Sequence, residues 1–421
     1  MNTPTFKLTK IALLIGTAIV ATNAHAVYNL YKKDGLTLDI GGQVDIQLTK
    51  QDRQFTLESP MNKIVKNPEL QPAGTKLSTT DKKPRLSQNH GVSYIDFRGS
   101  QELPNDWRAT GNIGLGYIRG SNFYLSNSSL SLDKKNVGAV SLGRQYLHTN
   151  YVNRTGTDTP LDIFSTSALR FDYYGIKGLQ ASAYYSLAGY NDVTKENNGA
   201  VKSGYGASAS YRFPVAEGQT LRVAAGYTHS DYNPETGIDG DTWKANQNTL
   251  NRYPSKTDGL AASLEYQAGK FLVATDIGRK QETMSESKFT PLDKRDTDYL
   301  GVKVAYDINP IFQVSAGYGT KKAETKLKKG ATPLSNDANA LNTIGQQTGG
   351  LQILSYVDAE EKYLYDKANT KEAYVQLDYM ARPNVRIYGR YDTELTKFKL
   401  GSTNTSKISD DNIRAGVVFN F

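Results

Sequence analysis

The chain closes on Asn412-Ile413-Arg414-Ala415-Gly416-Val417-Val418-Phe419-Asn420-Phe421. Ile413, Ala415, Val417, Phe419 and Phe421 share one parity; Asn412, Arg414, Gly416, Val418 and Asn420 share the other. Successive side chains of an extended strand point to opposite faces. The stretch therefore reads as a strand with one greasy face and one mostly wet face. The same two-residue rhythm recurs along most of the 421 residues.

The start of the chain says where such strands are used. Lys7 and Lys10 precede an apolar run, Ile11 to Ala21, and Ala24-His25-Ala26 forms a small-x-small cleavage site. These features predict a signal peptide over 1–26 and a mature chain, one barrel domain, over 27–421. The apolar run is too short to span a bilayer as a helix, and no later segment offers about 20 consecutive apolar residues. Alternating strands in an exported chain imply a membrane β-barrel, in which only every second residue touches lipid.

Composition agrees. With no cysteine, there are no disulfide staples despite export, so stability must come from a closed hydrogen-bond network. Tyrosine outnumbers tryptophan 28 to 2, and tyrosine suits membrane–water interfaces. The formal net charge is +8, of which the leader lysines supply two. Export and barrel patterning argue against nucleic acid as the partner of this basic chain.

Sixteen strands are predicted: 36–50, 91–103, 106–119, 124–133, 138–147, 167–175, 178–189, 203–213, 219–231, 257–268, 269–283, 296–307, 311–323, 371–381, 384–398 and 410–421. Their connections alternate in length. Leu103-Pro104-Asn105, Lys134-Lys135-Asn136, Gly175-Ile176-Lys177 and Arg382-Pro383-Asn384 carry turn chemistry and read as periplasmic turns. Long polar stretches at 51–90, 190–202, 232–256, 284–295 and 324–370 read as external loops. An antiparallel barrel of sixteen strands is too wide for side chains to fill, and leaves a water channel. Parity sends Leu38, Ile40, Ile46, Tyr205, Tyr211, Ile387 and Tyr391 outward. It sends Asp45, Arg212, Arg222, Lys303, Arg386, Arg390 and Asp392 inward. Inward bases slightly outnumber inward acids, so weak selectivity leaning to anions is expected.

Several stretches, in order, resemble the trimeric general-diffusion porins of Gram-negative bacteria. Val27 to Gly35 followed by Leu38-Asp39-Ile40-Gly41-Gly42 resembles the family's opening strand. Asp96-Phe97-Arg98-Gly99-Ser100-Gln101-Glu102-Leu103 resembles its second strand. Gly138 to Tyr146 resembles the strand leading into the constriction loop, and Ser167 to Tyr173 the strand leaving it. Phe421 matches the family's assembly signal. The resemblance implies a third loop, about Leu147 to Thr166, folded into the barrel. Asp158 and Asp162 would form its acidic side, and Arg144 matches a family arginine of the basic wall opposite; Arg170, Arg108 and Arg98, inward by parity, would add to that wall. It further implies an outer-membrane homotrimer embedded in lipid and lipopolysaccharide. Barrel-assembly machinery would insert it, and ions and small hydrophilic solutes would pass by passive diffusion.

This sequence departs from the family pattern at two wall positions, where Gln43 and Tyr94 replace basic residues. Arg144 poses a parity conflict, since strict alternation groups it with the outward Val140 and Leu142. Gly143 permits a bulge that reverses the parity. An arginine facing lipid near mid-membrane costs roughly 2–4 kcal/mol, so an inward Arg144 is expected.

Other chemistry has weaker support. His90, His148 and His229 stand in no metal-ligand spacing, and no nucleophile signature of the G-x-S-x-G type accompanies them. No cofactor, metal or catalytic activity is expected. The acidic spacing Asp231 to Asp241 lacks the order of a calcium loop. The nearer alternative is a substrate-selective channel, for oligosaccharides for example, with the inward Tyr184, Tyr299, Tyr374 and Tyr388 as its sliding surface.

Overall fold

The computed structural model describes residues 28–57, 76–78, 85–88, 93–118, 122–188, 201–232, 254–284, 292–327, 367–400 and 404–421. The expected leader, the histidine at 90, most of the acidic stretch at 231–241 and the loop at 328–366 lie outside these residues.

Sixteen antiparallel staves form the wall: β2 (Leu36–Leu57), β5 (Tyr94–Leu103), β6 (Trp107–Ile118), β7 (Asn122–Lys134), β8 (Gly138–Tyr146), β9 (Phe164–Tyr173), β10 (Leu179–Ser186), β11 (Val201–Ala216), β12 (Gln219–Tyr232), β13 (Pro254–Ala268), β14 (Phe271–Met284), β15 (Leu292–Asn309), β16 (Phe312–Leu327), β17 (Lys367–Arg382), β18 (Val385–Leu400) and β19 (Asn404–Asn420). Each pairs with its neighbours in the chain, and β19 pairs with β2, so the sheet closes. Every predicted strand has its counterpart. Closure removes all edges from the wall, which is what hydrocarbon demands of a spanning sheet.

Three short strands complete the sheet: β1 (Tyr28–Lys33), β3 (Lys76–Ser78) and β4 (Arg85–Gln88), each paired with β2. The stretch at 51–90 is thus not wholly loop. β2 runs on to Leu57, and β3 and β4 line up with β5 beside it. β15, β17 and β19 likewise begin four to six residues before their predicted starts. The reason is physical. The apolar alternation stops where lipid stops, but the backbone ladder continues into water on polar residues.

At the periplasmic end the last residue joins β2. The Gly42 amide donates to the Phe421 carbonyl at 2.8 Å, and the Phe421 amide to the Gly42 carbonyl at 3.0 Å. β1 continues from there along β2, with Tyr28 opposite Ile40. Its hairpin turns on Asp34 and Gly35, both at positive φ (51° and 78°), as a two-residue hairpin requires.

The outer face is a belt of exposed apolar side chains, including Leu130, Leu260, Ile277 and Ile413, each more than half exposed. In water such a surface would be an aggregation liability; against lipid it is the solvated state. The inner face is polar and buried, with Asp45, Arg222, Glu265, Ser315 and Asp378 under 9% exposed.

Candidate functional site: a loop strapped across the lumen

After β8 the chain does not turn back outside the barrel. Residues 147–163 cross the lumen instead, beginning with a 3-10 turn at His148–Tyr151. The base is pinched shut by the Leu147 amide donating to the Ile163 carbonyl at 2.9 Å, and by the Thr149 hydroxyl bonding the Asp162 carbonyl. Leu147 packs on Ala168 and Tyr184, while Val152 and Leu161 pack on Ala224 and Ala261 of the wall.

The strongest anchor is Asp276 on β14. Its carboxylate accepts the backbone N–H of Arg154 at 2.8 Å, that of Thr155 at 2.7 Å and the Thr155 hydroxyl at 2.6 Å. Charge-assisted bonds of this kind are about twice as strong as neutral ones. The Tyr374 hydroxyl on β17 holds the Thr155 carbonyl at 3.0 Å. At the other end Ser230 donates to the Asp162 carboxylate at 2.7 Å, and the Asp162 amide donates to Thr228 Oγ1 at 3.2 Å.

The wall is shaped to receive the loop. On its inner face Gly259 and Gly278 lie against Pro160, and a Cβ at either would collide with it. Gly301 does the same for Thr155 and Thr157. The close approach of two backbones is what these glycines permit.

Burial in the loop shifts two of its groups. The Arg154 guanidinium, 4% exposed, is held below the ordinary arginine range by desolvation, offset in part by Glu265. Burial also pushes the His148 imidazole down, against the upward pull of Asp172.

The acidic side is only half as expected. Asp158, 61% exposed, sits at the loop tip and pairs with Lys321 of β16. Asp162 is spent on tethering the loop to β12. The four arginines expected as the basic wall lie on β5, β6, β8 and β9. Gly143 has φ +126°, and the pairing of β8 with β9 slips between Gly143 and Gln145, which is a bulge. Beyond it the Arg144 guanidinium lies 5.0 Å over the Phe164 ring, within electrostatic reach of Tyr146, whose other charged neighbour is Asp96. Asp96 is on the lumen face, against Gly114. Arg170 is clamped by Asp172 at 2.9 Å and donates to the Tyr146 carbonyl. Both arginines therefore sit at the loop's base. Arg98 lies beside Asp96 on β5. Arg108 is a correction: it stands one residue from the turn after Leu103, at the periplasmic rim, 3.9 Å from Glu102 and more than half exposed. Parity assigned its side of the wall but carried no information on its height.

Besides Lys321 of β16, charges on β17–β19 face the loop tip. Arg390, Asp392 and Arg414, together with Glu372, Glu394 and Asp410, border a recess of about 220 Å³ whose far edge is Gly156 and Thr157 of the loop. Parity sends Arg390, Asp392 and Arg414 inward; it misses the three acids beside them and the common height of all six against the loop.

Three of the four inward tyrosines are packed away, while Tyr299 lines the space beside Asp158 and Pro160 of the loop. Tyr184, Tyr374 and Tyr388 are all under 9% exposed. Tyr374 bonds the loop, Tyr388 bonds Asp45 at 3.1 Å and Gln47 at 3.2 Å, and Tyr184 packs under Leu147. His229 stacks on Tyr205 near the extracellular end and binds Asp258 at 2.8 Å. Among the described residues, no group of three or more potential ligands is placed to hold a metal.

A closed sixteen-stave wall with an apolar outside, a polar inside and a loop across the bore defines a membrane channel. The Gram-negative porin family model matches residues 12–421. The chain belongs to the Gram-negative porins, and so is an outer-membrane diffusion channel. No curated protein matches the sequence. Among solved structures the fold is shared with the in-vitro-folded OmpT of Vibrio cholerae in its trimer form, at 14% identity, 92% of this chain, 100% of that chain and TM-score 0.56. It is shared also with the anion-selective porin of Comamonas acidovorans (12%, 92% and 100%, TM-score 0.53). A third is OmpF of Salmonella typhi in complex with daunomycin (14%, 94% and 100%, TM-score 0.52). At these identities the likeness is one of fold.

Proposed function

We propose that the loop at 147–163 is the constriction of this channel. Ions and small hydrophilic solutes pass through the gap between its tip and the β17–β19 wall, with weak preference for anions. The observation that carries this reading is the asymmetric docking of the loop. It is strapped to β12–β15 through Asp276, Ser230 and the glycine floor and to β17 through Tyr374, and a recess remains between its tip and β17–β19. Arg390 and Arg414 line that recess, and Arg144 and Arg170 stand at the loop's base. Cationic groups in a narrow aqueous gap with low-dielectric walls raise the local anion concentration. Planar-bilayer recording in a potassium chloride gradient tests this. A reversal potential favouring chloride is expected, and one favouring potassium would overturn the anion preference.

A homotrimer in the outer membrane is the assembly this reading carries, supported by the trimer form of the Vibrio cholerae relative. Lipopolysaccharide is its outer-leaflet partner. In support, Lys322, Lys326, Lys367, Lys371, Lys397 and Lys399 are exposed on the outward face toward the extracellular ends of β16–β18. Phe421, in register at the barrel seam, is the signal for the assembly machinery. Residues 1–26 are the signal peptide that delivers the chain to it.

A further inference from the structure

The wall facing the loop carries two rows of like charge. Glu372, Glu394 and Asp410 stand directly opposite one another on β17, β18 and β19. Four residues nearer the periplasm on those last two strands, Arg390 stands opposite Arg414. Like charges placed directly opposite on neighbouring strands are destabilising. They persist where something else compensates them.

The arginine pair has its compensation in the wall. Asp392 accepts from Arg390 Nε at 2.5 Å and from Arg414 at 2.5 and 3.0 Å. Arg390 also lies over the Tyr374 ring at 4.1 Å. That ring is itself bonded to the loop at Thr155, so the arginine seat is rigid. Both side chains keep about 30% of their surface in water, leaving N–H groups free to meet a solute. The carboxylate row is oriented by neutral donors, with Lys321 beside its Glu372 and Glu394 end and the Asp158 backbone N–H on Glu372. Gln51 holds Asp410 at 2.7 and 3.0 Å, and the Thr396 hydroxyl holds Glu394 at 3.2 Å. Arg53 stands opposite Asp410 at one end of the row. Glu394, at its centre, has carboxylates on both sides.

Between the two rows lies the recess of about 220 Å³. At ~30 Å³ per water it has room for roughly seven waters. The arginine heads are drawn to the level of Asp392, two residues from Glu394 along β18. At 3.3–3.4 Å per residue, the positive and negative sites are about 7 Å apart. An extended dipeptide spans about the same distance between its ammonium and its carboxylate.

We propose that this recess is a binding site for short zwitterions of dipeptide length. The ammonium sits on the Glu372–Glu394–Asp410 row and the carboxylate on the Arg390–Arg414 seat, a stop on the diffusion path. A free α-amino acid is too short to reach both ends. An acylated or amidated peptide loses one of the two charges the site recognises.

The site rests on the lumen being open, and the test separates the two. Single-channel current is recorded in potassium chloride while glycylglycine is added at millimolar concentrations. A saturable reduction in current is expected. N-acetylglycylglycine, glycylglycinamide and the neutral N-acetylglycinamide should each need roughly threefold or more higher concentration, the scale of one solvent-exposed ion pair. Glu394→Gln should raise the half-saturating concentration of glycylglycine by a similar factor and leave the effect of the neutral probe unchanged. Equal action of all four probes on the unaltered channel overturns the site, and so does a Glu394→Gln channel that responds to glycylglycine as before. A protein that carries no potassium chloride current at all overturns the channel reading instead.

Discussion

Two arcs of the same barrel flank β16, and they are built from different residues. The docked arc, β12–β15, presents Gly226, Gly259, Gly278 and Gly301 to the lumen, with Asp276 and Ser230 as fasteners. The open arc, β17–β19, presents Arg390, Arg414, Glu372, Glu394 and Asp410. A loop can lie only where the wall has no side chains to displace. A solute can be selected only where the wall has charges to offer. One antiparallel sheet supplies both surfaces, and the choice of lumen residue separates them.

The sharpest way to break this contrast is to unfasten the docked arc. Asp276→Ala removes the acceptor of two backbone amides and a hydroxyl, bonds worth about 1.5–3 kcal/mol each to a charged partner. We expect the loop to leave the wall, with single-channel conductance altered about twofold or more and markedly noisier traces. An unchanged, quiet conductance would mean that other contacts hold the loop.

Gly278→Val attacks the same arc sterically, because its side chain would occupy the place of Pro160. The expected change in conductance is smaller than for Asp276→Ala, since the polar fasteners remain. Liposome swelling with small sugars is the convenient readout.

On the open arc, Arg414→Glu should move the chloride-to-potassium permeability ratio toward potassium by about twofold. Reversal potentials in a salt gradient measure it. Asp158→Asn acts in the opposite sense and more weakly. Its carboxylate is largely exposed and already paired with Lys321, and such pairs contribute about 0.2–1 kcal/mol. Smallest of all is Arg108→Ser. Its place at the periplasmic rim predicts an unchanged ion preference, and a shift as large as that of Arg414→Glu would put Arg108 back in the constriction.

The strand count and faces were legible in the residues because lipid imposes a strict rule. A side chain in hydrocarbon must be apolar, its neighbour need not be, and alternation follows. Leu38, Ile46, Tyr205 and Ile387 went outward as their parity required. The bulge at Gly143 was legible too, since only glycine adopts its φ of +126° easily. What parity lacks is height and azimuth. It made Arg108 and Arg390 equivalent inward arginines, yet one lies at the rim and the other faces the loop tip. It made Asp158 and Asp162 equivalent loop acids, yet one pairs with Lys321 of β16 and the other ties the loop to β12.

The chain's residues alone, through their alternation and turn chemistry, determined a barrel of this number of staves, its inner and outer faces and the irregular pairing beside Gly143. Those are local consequences of backbone pleat and solvent. The path of residues 147–163 across the lumen was decided only in the closed structure. It depends on Asp276, Tyr374 and glycines of four separate strands meeting the loop at one height, and that coincidence exists only once every strand has found its register.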